Sequence, residues 1–362
     1  MRTLNRYLWK ETTLSILTVA LGLLAMFSFF DLIEELDSLG VGTYNLSNIL
    51  TFVLLRIPGH IYDIAPVAVL IGMMISLGAL GRSSELTIMR VSGLSITSLG
   101  LTLIKVGLLL TITTFVVGEF ITPVTEKAAQ RMRVQSTEGV IAQNFKSGLW
   151  VKDNKSFINV RTVLPNATLL NVNIYEFDEN FKLQTISTAD TASHLDGRWK
   201  LTDVIQTTII EAEQVDQKHA ETKFFSKANW DSGIHPELLD ILLVDPERMS
   251  AWNLYGFITH LANNKQETTR YDVALWTKVI YPLACIVMVI LALPFGFLQQ
   301  RSTSTSAKIF IGILLGITYQ IMNRVFIHLG VLNDWPPLLS AITPTILFLI
   351  TGLSLLCKIE RR

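Results

Sequence analysis

The chain has 362 residues, half of them apolar, with a mean hydropathy of +0.42 and a formal net charge of zero. Only 17 % of the residues are charged, against about a quarter in a typical water-soluble domain. The charges are also partitioned: residues 123–272 hold 16 of the 30 Lys and Arg and 20 of the 30 Asp and Glu, a net of −4, so no nucleic-acid partner is expected.

The remainder is built for a bilayer. Thr12–Phe30, Ile64–Gly81, Val279–Leu298 and Trp335–Cys357 carry no charge, and each is close to the roughly 20 apolar residues that cross a hydrocarbon core. The first run follows a basic start (Arg2, Arg6, Lys10) but is long and ends in DLIEELDSLG. It lacks a small-residue cleavage pattern, so it reads as a retained helix rather than a signal peptide. In chain order, membrane helices are predicted at 12–33, 61–81, 97–121, 276–298, 307–329 and 337–357. Arg56-Ile-Pro-Gly-His60 reads as a bent or interfacial lead-in to the second, and Lys105 in the third can snorkel to the interface.

Between the third and fourth helices the pattern changes from apolar runs to alternation. GLWVKDNKSFINV (148–160) reads as two short strands about Asp153-Asn154, and NVNIYEF (171–177) as a third. Asp178–Asn180 is a turn, after which Leu183, Thr185 and Ser187 would share one face and Lys182, Gln184 and Ile186 the other. Asp196-Gly197 is a hairpin signal. Short strands at this spacing indicate an all-β, jelly-roll-like domain, a sandwich or a barrel. Residues 246–265 read as a helix leading back to the membrane. The expected plan is three helices in 1–122, the β domain with its connecting helix in 123–272, and three helices in 273–362. With Cys285 and Cys357 in apolar runs and no cysteine in the β domain, that domain must be held by packing alone.

Basic residues in short loops orient the chain. Arg2, Arg6, Lys10, Arg82, Arg90, Arg301, Lys308, Lys358, Arg361 and Arg362 fall on one side, and the opposite short loops, 31–49 and 331–336, contain none. Both termini are therefore expected in the cytoplasm and the β domain outside it.

No catalytic constellation stands out. G-x-x-x-x-G-K-[ST], H-E-x-x-H, C-x-x-C and G-x-S-x-G are all missing, so no P-loop, zinc-protease or nucleophile-elbow chemistry is indicated, and neither cofactor nor resident metal is expected. His60 and Asp63 are expected to be solvated near the outer interface. The loop after the second helix, residues 82–93, reads as about two helical turns capped by serine and ended by Gly93. Leu86 and Met89 would share an exposed face between Glu85 and Arg90, a shape that fits either another protein's groove or the membrane surface. Arg324 lies roughly 25 Å up the fifth helix, where a cation needs a partner or water. It would meet an anionic ligand or an acid such as Glu119. Asp31, Glu34, Glu35 and Asp37 form an acidic cluster that, on its own, reads as solvated.

RSSELTIMRVSGLS after the second helix, GLWVKDNKSFINV opening the β domain and RYDVALWTKVIYPLA entering the fourth helix resemble the LptF/LptG (YjgP/YjgQ) permeases of the lipopolysaccharide export ABC transporter, end to end. GLWVKD and WPPLL lie closer to the LptG branch than to LptF. The resemblance implies a non-catalytic subunit of the bacterial inner membrane with a periplasmic β-jelly roll. It also implies an LptB-like ATPase dimer, an LptF-like permease, an LptC-like periplasmic protein and lipopolysaccharide as partners. Residues 82–93 would be the coupling helix, with Glu85, Leu86, Met89 and Arg90 at the ATPase. Helices one and five would line the lipid cavity. Where LptG proteins carry lysines near the outer end of helix one, this chain has Asp37 and Ser38, and Arg324 stands where a neutral residue is expected. Arg133 matches a basic position of the family. The expected ligand contacts are therefore Arg324 and Arg133, with Asp31, Glu34 and Asp37 sharing a divalent cation with lipid phosphates or pairing with Arg324. The rival readings are a permease for another lipid, lipoprotein or peptide, and a membrane-anchored scaffold.

Overall fold

A computed structural model describes residues 2–93, 95–137, 149–153, 155–164, 168–195, 198–211, 218–232, 245–297 and 305–360. Among them, six helical stretches are long and apolar enough to cross a membrane. All six predicted helices are present, and each is longer than its apolar run. α1 spans Arg2–Leu36. α2 spans Leu46–Arg82, started by Asn45, whose Oδ1 accepts the Asn48 N–H at 3.1 Å. The expected lead-in at 56–60 is absent as a separate element. Pro58 and Pro66 both lie inside one continuous helix, because packing on several neighbours outweighs the hydrogen bonds that two prolines remove.

The short helix α3 (Glu85–Val91) precedes α4 (Ile96–Val116). The third span does not stop at 121. It passes through one π-helical turn, Val117–Ile121, and continues as α5 (Thr122–Ser136), the change of hydrogen-bond pattern falling just before Pro123, which has no N–H to give the preceding turn. The rod from Thr97 to Ser136 is 40 residues long, about 60 Å, so its polar second half stands clear of a bilayer.

The insert is β, as expected. β1 (Leu149–Asp153), β2 (Ser156–Val163), β3 (Leu169–Phe177), β4 (Leu183–Leu195), β5 (Arg198–Glu211) and β6 (Lys218–Trp230) form one antiparallel sheet in sequential order. In β4, Thr185, Ser187 and Ala189 are buried on one face, the alternation read from sequence. The 178–180 turn forms with Asp178 Oδ1 accepting the N–H groups of Asn180 and Lys182. Asp196-Gly197 lies outside the described residues, and the strands beside it pair Leu195 with Arg198. The core of the sheet gathers Ile158, Val160, Val172, Ile174, Ala189 and Leu201, closed by Trp199 opposite Trp230.

A 3-10 turn at Pro246–Arg248 and helix α6 (Ala251–Asn263) lead back to the membrane. α7 (Thr269–Ile280) and α8 (Ala284–Phe297) make the fourth span, α9 (Thr305–Leu332) the fifth and α10 (Pro337–Glu360) the sixth. The core of the membrane part lies around α2 and α8 (Leu70, Met73, Leu77, Met288, Leu291). α1 docks on α2 closely enough that a Cβ at Gly72 would stand 2.5 Å from the Ile16 Cα, so only glycine fits there. α1 and α9 remain mostly uncovered along their apolar length.

Candidate coupling and ligand-contact sites

Two polar sites sit at opposite ends of the bundle. The first is α3. Its start is not capped by serine as expected: Ser84 takes a left-handed conformation (φ 60°) and makes no side-chain cap. Instead Ser83 donates its hydroxyl to Glu85 Oε1 at 2.8 Å. Gly93 ends the segment at φ 90°, the left-handed close read from sequence. The apolar side is reversed relative to expectation. Leu86 and Met89 turn into the core with Leu4 and Trp9 packed beside it, while Ile88 and Val91 are exposed together with Arg90. A two-turn helix cannot hold its place by propensity. It holds by burying one side against α2 and α1, and that side is the one carrying Leu86 and Met89. Leu4, Glu85, Ile88, Met89 and Ser92 line a shallow depression there.

The second site is a chain of alternating charges where α1, α2, α5 and the 3-10 turn meet. Asp31 is buried; its Oδ1 accepts Arg56 at 3.0 Å and its Oδ2 lies 2.5 Å from His60 Nε2. The His60 ring stacks on Phe27 at 5.6 Å. Arg56 Nε lies 3.8 Å from Glu126 of α5. Arg248 donates to Asp63 at 2.6 Å. Its guanidinium lies over the backbone at Gly59, where a Cβ would meet Nη1 at 2.5 Å and Glu126 Oε2 at 3.6 Å. Burial opposes the charge on Arg248, yet Asp63 and Glu126 more than offset it and hold its pKa above the ordinary value. Nearby, Arg133 Nε meets Glu35 at 3.1 Å, and Glu35 also accepts the Tyr44 hydroxyl at 2.9 Å. Burial and that carboxylate push the Tyr44 pKa up.

These contacts correct three expectations. His60 is buried against Asp31, not solvated, and Asp63 is held by Arg248. The acidic cluster is divided: Asp31 and Glu35 are buried and paired, whereas Glu34 and Asp37 are exposed. Its paired members meet Arg56, His60 and Arg133, not Arg324. Arg324 is exposed on α9 and has no ion pair or hydrogen bond among the described residues. Glu119 does not reach it either: its carboxylate accepts the N–H groups of Ala251 and Trp252 at 2.8 and 3.3 Å, capping α6 from the π turn.

Arg56, Glu126 and Arg248 were missed in the sequence. The signal was present: Arg56, His60 and Asp63 fall at i, i+4 and i+7, one stripe of a helix, once that helix is allowed to run through Pro58. Lys278 was missed too; it is buried with its Nζ 4.6 Å over the Tyr62 ring and no hydrogen-bond partner among the described residues. Among the described residues, no group of His, Cys, Asp and Glu is arranged to hold a metal ion.

Six long apolar helices with an antiparallel β domain inserted after the third define a multi-pass membrane protein. The chain matches the family described as "Lipopolysaccharide export system permease LptF/LptG" over residues 6–358, and it belongs to that family. It is 31 % identical over 353 residues to the lipopolysaccharide export system permease protein LptG of Haemophilus influenzae, covering 97 % of each chain. It is 27 % identical over 357 residues to that of Escherichia coli K12, covering 98 % of each.

Proposed function

We propose that this protein is the LptG-type transmembrane half of an ABC transporter that lifts lipopolysaccharide from the inner membrane towards a periplasmic bridge. The observation that carries the proposal is the end-to-end match to lipopolysaccharide export permeases, covering both the helices and the insert. The exposed lengths of α1 and α9, the first and fifth spans, support a lipid-facing cavity completed by a paired permease. In this reading the chain binds no nucleotide. An ATPase dimer sits under α3, where Glu85, Arg90, Ile88 and Val91 face outward or lie at the surface and Leu86 and Met89 fasten the helix to the bundle. The basic residues around α3 and at the termini support a cytoplasmic position for that end, with the β domain in the periplasm next to an LptC-like partner.

Arg324 is the ligand contact this reading favours, as an exposed guanidinium on a membrane helix with no internal partner among the described residues. Arg133 is already held by Glu35, so it joins the ligand only by exchanging that carboxylate for a phosphate. The test is lipopolysaccharide crosslinking and growth with Arg324→Gln and Arg324→Lys. Gln should lose crosslinking, and Lys should keep part of it because the charge survives without the bidentate fork. Wild-type crosslinking by Arg324→Gln would remove the residue from the ligand site.

A further inference from the structure

α6 connects the β insert to the fourth span, and two helix lengths indicate its height. Its first N–H groups are held by Glu119, 22 residues past Thr97 along the third span. At the helical rise that is about 33 Å, just beyond a hydrocarbon core of about 30 Å and inside the headgroup layer. Its far end is followed within a few residues by Thr269, where the 28-residue fourth span begins; about 42 Å of helix covers the core and both headgroup layers. α6 is thus pinned at headgroup level at both ends.

Its composition fits that level. AWNLYGFITHLAN contains no Asp, Glu, Lys or Arg. One side packs inward: Leu254 is fully buried, and Phe257 meets Tyr271 edge-on at 4.7 Å. The other side presents Trp252 and Tyr255, 81 % and 63 % exposed, with Gly256 and Thr259 on the same stripe. Indole and phenol, each with an apolar body and one hydrogen-bonding group, partition to the boundary between acyl chains and headgroups. Phe120 and Ile121, directly after Glu119 on the neighbouring span, are exposed as well, so apolar side chains are uncovered on both helices at this height.

We propose that α6 is an interfacial anchor, with its Trp252–Tyr255 face seated among the bilayer phospholipids on the side of the insert. The mount of the β domain then rests on the membrane as well as on the helices. This inference does not depend on what the protein transports, and its test needs neither ATPase nor lipopolysaccharide. The full chain is placed in phospholipid vesicles whose acyl chains are brominated either next to the headgroup or near the terminal methyl. Trp252→Phe should lower tryptophan quenching by the shallow bromine and leave quenching by the deep bromine unchanged. Equal quenching of wild type and variant by both lipids would overturn the proposal. A spin label on Tyr255→Cys, in a Cys357→Ser background, gives a second reading. Several-fold greater accessibility to oxygen than to a water-soluble nickel chelate is expected. Preferential access to the chelate, or access to neither reagent because a protein partner covers the site, would overturn it.

Discussion

The two ends of the helical bundle handle charge in opposite ways. Around α3, Glu85 accepts the Ser83 hydroxyl and makes no ion pair among the described residues, and Arg90 is exposed. At the other end Asp31, His60, Arg56, Glu126, Arg248 and Asp63 meet one another in ion pairs and hydrogen bonds across four segments of the chain. A buried charge left without a partner is expensive, so such a lattice adds specificity of arrangement more than net stability. An exposed charge beside an exposed apolar patch costs little and is left over for a partner. One end is closed on itself and the other is open, although both read simply as charged in the sequence.

The comparison can be broken most severely at Asp31. Asp31→Ala would leave the buried His60 without its carboxylate and the half-buried Arg56 with only the more distant Glu126, a loss of up to about 3–5 kcal/mol. Thermal unfolding in detergent should fall well below that of Glu34→Ala, an exposed neighbour whose removal should stay within about 0.5 kcal/mol. Equal melting of the two variants would mean the lattice does not hold that end. Gly59→Ala comes next. The added methyl displaces Arg248 from Asp63 and Glu126, an overpacking cost of about 1–3 kcal/mol, visible as faster hydrogen exchange through residues 246–263. Glu119→Ala removes the acceptor of the first two N–H groups of α6, about 0.5–2 kcal/mol, and the faster exchange should be confined to Ala251 and Trp252, because Ser250 Oγ still holds the Asn253 N–H. The smallest effect on folding is expected at the open end. Glu85→Ala should leave melting within about 1 kcal/mol of wild type, since it removes a bond to one hydroxyl, yet co-purification of the proposed ATPase partner should drop sharply. Unchanged co-purification would place the docking contact elsewhere on α3.

The sequence displayed what is periodic. Six apolar runs, alternation in β4 and the Asp178 turn each follow from local chemistry, and the structure has them. It concealed what depends on neighbours. α2 runs through Pro58 because the helices around it supply packing that no window of residues can reveal. Leu86 and Met89 share a face in either orientation, and only the position of α1 and α2 decides that this face is the inner one. Asp31 and Glu35 lie one turn apart and are buried, while Glu34 and Asp37 between and beside them are exposed. Composition alone sees one acidic cluster there. The partners come from residues 56, 60 and 133; the family resemblance singled out Arg133, but as a ligand contact rather than as the partner of Glu35.

The uninterrupted rod from Thr97 to Ser136 gives the molecule a lever arm. Over about 60 Å, a tilt of about 5° at the end next to α3 becomes a sweep of about 5 Å at Ser136. The tip does not travel alone. The Ser136 carbonyl accepts the Thr43 N–H at 2.8 Å, and Arg133 and Glu126 hold α1 and α2 through Glu35 and Arg56. A small rotation at the open end of the bundle would therefore drag the tips of α1 and α2 sideways as one block, in a gear ratio set by the length of a single helix.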